Sequence, residues 1–216
     1  MMFHSRLSSS PCYSDVIGDN VVPAHAPEDL QRWRRIHRDR LIGERLDVSL
    51  AVRDLYARQI TEKLNQFFPN LAKLLVSGYW PCNGEPDLRP WLSSVRLRCG
   101  HVALPVIAKK HAPLQFRLWW PGAPMERGIW NIPHPEKCIE VNPDIVVVPL
   151  VGFDNAGYRL GYGGGYFDRT LAAAPNRPRI VGVGYEQSRL ETIHPQSHDI
   201  PMDFIVTECR VREFNR

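Results

Sequence analysis

A chain of 216 residues, 44% hydrophobic and 23% charged, is long enough for one well-buried core and lies within the range of soluble globular proteins. A formal charge of +4 is too small an excess to imply nucleic acid, although a local basic cluster could hold an anionic small molecule. Five scattered cysteines without a CxxC pair argue against a disulfide framework, and no run approaches the ~18 apolar residues of a membrane helix. With no basic-then-apolar leader at the start either, a cytoplasmic protein with reduced thiols is expected.

Residues 1–26 carry Ser8, Ser9, Ser10, Pro11 and Pro23 without an apolar period, and read as a flexible N-terminal extension to a single domain over 27–216. Ala26-Pro27-Glu28-Asp29 predicts a helix start, with proline in the first turn and acids at the positive dipole end. That helix runs through Leu30, Trp33, Ile36, Leu41 and Leu46, and its other positions are crowded with arginine (Arg32, Arg34, Arg35, Arg38, Arg40, Arg45). A second helix is predicted over Ser49 to Phe67, ending before Pro69. Strands are then expected at Lys73–Tyr79, Val102–Ile107, Leu114–Trp120, Ile180–Gly184 and near Phe204–Thr207, with helices at Asp87–Arg98 and Tyr166–Ala174. Ile145 to Val151 is the most apolar segment and suits a central strand buried on both faces. The alternation predicts an α/β fold: a single three-layer domain with a mainly parallel central sheet flanked by helices.

Five of the chain's 15 glycines lie between Gly157 and Gly165, between that strand and the helix from Tyr166. Glycine lets backbone N–H groups converge on an anion with no side chain in the way, and the helix N-terminus adds its own donors. Arg159 and Arg169 bracket the loop with charge suited to phosphate oxygens. No Walker Gly-Lys-Ser/Thr is present, and Tyr166 stands where a dinucleotide fingerprint needs its third glycine. Asp168 at the helix start fits either a capping role or a Mg²⁺ that bridges phosphates. His194 and His198, four apart on a segment broken by Pro195, share no helix face, so zinc is not expected there.

RLGYGGGYFDR at 159–169, preceded by VPLVGFD at 148–154, closely resembles the signature of the 5-formyltetrahydrofolate cyclo-ligase (5,10-methenyltetrahydrofolate synthetase) family. Arg34, Arg38 and Arg45 on the first helix, Tyr79-Trp80-Pro81 before Glu85, Leu104-Pro105, and His198-Asp199 follow in the family's order, from about Glu28 to Glu208. The resemblance implies one α/β domain that couples ATP hydrolysis to cyclisation of 5-formyltetrahydrofolate. It implies ATP contacts from Arg34, Arg38, Arg159, Leu160, Gly161, Tyr162, Gly163, Gly164, Gly165, Tyr166 and Phe167, with Arg159, Tyr166 and Asp168 at the chemistry. It further implies folate contacts from Trp80, Glu85 and Tyr166, and Mg²⁺ held by Asp168 and Asp199. Phe167 stands where most members carry a second tyrosine, His134 where glutamate is frequent, and Arg34 where many carry lysine. Two small-molecule substrates, no nucleic acid or membrane partner, and a monomer or weak homodimer are expected. Two other readings stay open: a family paralogue using the ATP loop on another substrate, and a nucleic-acid module using the arginine-rich helix.

Overall fold

The computed structural model describes residues 27–136 and 139–214; the stretch read as an N-terminal extension lies outside the described residues. Helix α1 spans Pro27–Asp47, with Glu28 and Asp29 in its first turn and Arg45 in its last, each on the side its dipole favours. Ser49 caps α2 (Leu50–Phe67) by accepting a hydrogen bond from the Val52 amide at 3.4 Å. Then come β1 (Leu75–Ser77), α3 (Arg89–Leu97), β2 (His101–Val106) and β3 (Gln115–Leu118). A small hairpin, β4 (Met125–Arg127) and β5 (Pro133–Pro135), precedes β6 (Ile145–Pro149). A second hairpin, β7 (Gly152–Phe153) and β8 (Arg159–Leu160), separates β6 from α4 (Tyr166–Ala173). The chain closes with β9 (Arg179–Val183), β10 (Phe204–Val206) and β11 (Val211–Glu213).

Seven strands make the central sheet in the order β11-β10-β9-β6-β1-β2-β3. The inner strands β10, β9, β6, β1 and β2 run parallel, and β3 and β11 close the two edges antiparallel. Strand β6 alternates as a doubly covered strand must: Ile145 and Val147 join the core under α2 and α3, and Val146 and Val148 join the core under α4. The expected three-layer α/β domain is therefore the one observed. A third, smaller core of Leu41, Val151, Leu160 and Ile193 fastens α1 to the β7–β8 hairpin.

Two features of this scaffold set the site. Strand order reverses between β1 and β6, and crevices for ligands form outside the carboxyl ends of strands at such a reversal. Gly78, just past β1, lets α3 close over the sheet there: a methyl group on it would lie 2.4 Å from Leu92 Cδ1. The chain then turns through Tyr79 and Trp80 onto the rim of the crevice.

Candidate active site

A cleft of about 690 Å³ opens at the β1/β6 reversal. Its walls include every site residue expected from the sequence: Arg34 and Arg38 from α1, Trp80 and Glu85 after β1, Arg159 to Phe167, Asp168, and Asp199.

One wall is the glycine loop. Gly163 (φ +89°) and Gly165 (φ +62°, at the N-cap of α4) hold left-handed conformations. Among the described residues none accepts a hydrogen bond from the backbone amides of Gly161 through Phe167, so a run of donors lines the cleft without protein acceptors. The adjoining cations are pinned through some of their nitrogens only. Arg38 Nε donates to the Gly161 carbonyl at 2.6 Å, and Arg169 Nη2 to the Gly164 carbonyl at 2.6 Å. Arg34 Nη2 donates to Asp199 Oδ2 (2.6 Å) and to the His194 carbonyl (2.8 Å). Buried Arg34 Nε and Arg169 Nε have no acceptor among the described residues. Burial and the neighbouring Arg34 both lower the pKa of Arg38, an arrangement that an anion would relieve.

Asp168 and Arg159 hold each other. Arg159, 7% exposed on β8, donates Nη1 to the Ile200 carbonyl at 2.7 Å and brings Nη2 to 2.7 Å from Asp168 Oδ1. Among the described residues no acceptor is aligned with the Nη2 hydrogens, so that second contact is an ion pair more than a directed hydrogen bond. Asp168 Oδ1 also accepts the Ile200 amide at 3.0 Å, and Oδ2 accepts no hydrogen bond among the described residues. Asp199 is the other acid of this wall. Burial works to raise its pKa, but the Arg34 hydrogen bond and the Gln196 amide outweigh burial and hold it below the ordinary carboxylate range.

The opposite wall carries Glu85, 6% exposed. Its Oε1 accepts from the Tyr162 hydroxyl at 2.7 Å and its Oε2 from the Cys82 amide at 2.9 Å. Burial raises its pKa, and the Tyr162 and Cys82 hydrogen bonds and Arg45 only partly offset that. Beside it, burial and the Glu85 charge push the Cys82 thiol up to about 11, so this cysteine is a poor nucleophile; Cys82, Cys99 and Cys209 are all free thiols. Trp80 lies at the mouth under the Arg89 guanidinium, 4.9 Å from its ring centroid.

The β4–β5 hairpin forms a third wall that the sequence did not reveal, with His134, one of the departures from the family pattern, on it. Trp130, at its tip, is 63% exposed, holds φ +59°, and sets its ring edge-on to Tyr166 at 5.8 Å. A large aromatic between turn formers, Gly128 before it and Asn131 after it, is the signal that marks it. Trp119, by contrast, is buried in the core, and His198 is an exposed rim residue 3.8 Å from Asp199.

A family model described as the 5-formyltetrahydrofolate cyclo-ligase family matches residues 30–208. The 5-formyltetrahydrofolate cyclo-ligase of Haemophilus influenzae is 34% identical over 135 residues, 59% of this chain and 72% of that one. Its counterpart from Mycolicibacterium smegmatis is 29% identical over 181 residues, 80% of this chain and 92% of the other. The NMR structure of Aquifex aeolicus 5,10-methenyltetrahydrofolate synthetase superposes with a TM-score of 0.72 at 29% identity, covering 85% of this chain and 93% of that one. The matched stretch runs from α1 to just beyond β10 and so contains every wall of the cleft; the chain is an enzyme of the 5-formyltetrahydrofolate cyclo-ligase family.

Proposed function

We propose that this enzyme converts 5-formyltetrahydrofolate to 5,10-methenyltetrahydrofolate at the expense of ATP, releasing ADP and phosphate through a phosphorylated formyl (imidate) intermediate. One observation carries the reading: the amides of Gly161 to Phe167, without acceptors among the described residues and flanked by arginines incompletely paired among them, open on the same cleft as the buried acid Glu85. Amides and guanidiniums suit a triphosphate. Glu85 suits the N–H donors of a pterin ring, and Trp80 offers it an aromatic face.

The chemistry asks mainly for positioning. The oxygen of an N-formyl group is a poor leaving group; once it carries the γ-phosphoryl, the second amine of the same folate attacks the formyl carbon, phosphate departs as the C–O bond breaks, and the amine's proton is lost to solvent. No protein nucleophile is needed, and catalysis rests on alignment and charge neutralisation. In this reading Arg34, Arg38 and the loop amides hold the polyphosphate, Arg159 and Tyr166 flank the transferred group, and Trp80, Glu85 and Tyr166 hold the folate. The donor set also fits a hard cation: Asp168 and Asp199 line one wall, and Mg²⁺ takes one or two carboxylates plus phosphate oxygens. When bound there, Mg²⁺ would neutralise phosphate charge. Among the described residues no cluster of three or more His, Cys, Asp or Glu side chains gathers, so its remaining ligands would be phosphate and water. A cytoplasmic location and a monomer or weak homodimer belong to the same reading. Among the described residues no helix is long and apolar enough to cross a membrane.

The direct test incubates purified protein with 5-formyltetrahydrofolate and Mg·ATP and follows methenyl-folate absorbance together with ADP. Equimolar product and ADP are expected. Binding of Mg·ATP without methenyl product would point to a paralogue acting on another substrate, and no affinity for Mg·ATP by calorimetry would defeat the reading outright.

A pH dependence follows from Glu85. The ionised carboxylate accepts pterin N–H donors on both oxygens and more strongly than the neutral acid, and it prevails above a pKa that burial has raised. As pH falls, the KM for folate should therefore begin to rise at a higher pH than an ordinary carboxylate of pKa about 4.3 would give. In Glu85→Gln this limb should vanish, leaving a uniformly weak KM; a profile unchanged in that variant would remove Glu85 from folate recognition.

A further inference from the structure

If two ligands share this cleft, as the ligase reading requires, one side chain joins the parts that would hold them. We propose that Tyr162 is a positioning residue that couples the phosphate loop to Glu85, so that polyphosphate seated on the loop sets the carboxylate for the folate.

On its N-terminal side Tyr162 has no packed neighbour to wedge it in place: a methyl group at Gly161 would meet nothing within 4 Å. Its location is set by polar contacts instead. Arg38 holds the Gly161 carbonyl, and the Tyr162 hydroxyl accepts from Arg45 Nη2 at 2.6 Å while donating to Glu85 Oε1 at 2.7 Å. Arg45 is a fixed anchor: it is 4% exposed, and its other nitrogens donate to the Asn83 carbonyl (2.8 Å) and the Leu150 carbonyl (3.1 Å).

The direction of this chain of hydrogen bonds is forced. Guanidinium can only donate and ionised carboxylate can only accept, so the hydroxyl between them must point its proton at Glu85. Tyr162 also belongs to the stretch of backbone whose amides find no acceptor among the described residues. An anion that orders those amides fixes the hydroxyl, and the hydroxyl fixes one oxygen of Glu85, leaving the remaining lone pairs oriented for a second ligand. Such coupling is reciprocal: each ligand tightens the other by the same factor.

The experiment measures 5-formyltetrahydrofolate affinity by calorimetry, with and without a non-hydrolysable ATP analogue plus Mg²⁺. It uses wild type, Tyr162→Phe, Glu85→Gln and the double variant, with melting curves confirming that each folds. In wild type the nucleotide should tighten folate binding by about 5-fold or more, as coupled sites commonly do. Tyr162→Phe keeps the ring and loses the hydroxyl. Its folate affinity in the presence of nucleotide should fall about tenfold, the usual scale for a hydrogen bond to a charged group, and the coupling should collapse toward one. Nucleotide affinity measured alone should fall by less than folate affinity does, since the loop amides and arginines keep their own groups and only one anchor of the loop is lost. In the Glu85→Gln background the same change should cost much less. A Tyr162→Phe protein that keeps wild-type coupling, that weakens both ligands equally, or whose cost adds fully to that of Glu85→Gln overturns the role given to Tyr162. So does a wild type that binds both ligands without coupling. A wild type that binds neither ligand overturns the ligase reading with it.

Discussion

Asp168→Ala is expected to lower turnover by about two to three orders of magnitude and also to cost the fold about 3–5 kcal/mol, because one carboxylate serves two purposes. The catalytic part follows from its position at the first turn of α4, beside amides that find no acceptor among the described residues, with Oδ2 accepting no hydrogen bond among them and so available to a cation or a phosphate-bound water. Loss of a preorganised charge at such a place typically costs factors of about 100 to 1000. The structural part follows from Arg159. Its guanidinium is buried, its Nη2 faces Asp168 at 2.7 Å, and removing the acid leaves that positive charge with only Asp199, already bonded to Arg34, to oppose it. For a chain of this size each kcal/mol moves the midpoint by about 2–4 °C, so the alanine variant should melt about 10 °C lower. Asp168→Asn separates the two effects. It retains an oxygen for the Ile200 amide and most of the volume, so its melting loss should be smaller, while its turnover should fall as far as that of alanine. Turnover read from methenyl-folate absorbance and melting read by calorimetry check both halves. An asparagine variant with wild-type turnover would reduce Asp168 to a clamp for Arg159.

The parts of this molecule that were readable in advance are those where one residue's role repeats along the chain. Ile145 to Val148 are apolar at successive positions because both faces of β6 are covered, and that pattern needs no partner to be seen. Glycines crowded before a helix are visible for the same reason. The two-residue strands of the β7–β8 hairpin could not be seen, since no period fits in two residues; the hairpin exists because Asp154 Oδ1 accepts the Ala156 and Tyr158 amides and Gly157 turns at φ +81°. The β4–β5 hairpin hides among prolines, and β11 reads Val-Arg-Glu, too polar to announce an edge strand. Arg45 is the sharpest case. In sequence it is one arginine among six on α1, and what distinguishes it is a set of acceptors 38, 105 and 117 residues away. Arg34, Arg38 and Arg45 do share one helical face with Leu41, by the spacing of turns, and charge on the inward stripe of a helix is the local sign that those cations have a purpose.

Gly163→Ala is expected to separate binding from folding in the way Asp168→Ala cannot. At φ +89° an L-residue costs about 1–2 kcal/mol relative to glycine, which for a chain of this length is a loss of only a few degrees in melting temperature. Little else in the fold depends on the loop, since Gly163 is exposed and the neighbouring amides bond no protein acceptor among the described residues. The binding cost should be larger. The new methyl group would stand 3.3 Å from Arg38 Cζ and 3.4 Å from its Nη1, so the guanidinium must shift. Arg38 also holds the Gly161 carbonyl through Nε, and a shift there moves the whole run of amides. Losing one charge-assisted contact and the alignment of several donors should weaken Mg·ATP by about 10- to 100-fold. Gly122→Ala supplies the control: φ is +84°, a methyl group there meets nothing within 4 Å, and the residue lies outside the cleft. It should lose a similar few degrees and bind nucleotide as wild type does. Calorimetric titration of Mg·ATP into the three proteins decides the matter, and equal affinities for Gly163→Ala and Gly122→Ala would mean that the triphosphate does not rest on this loop.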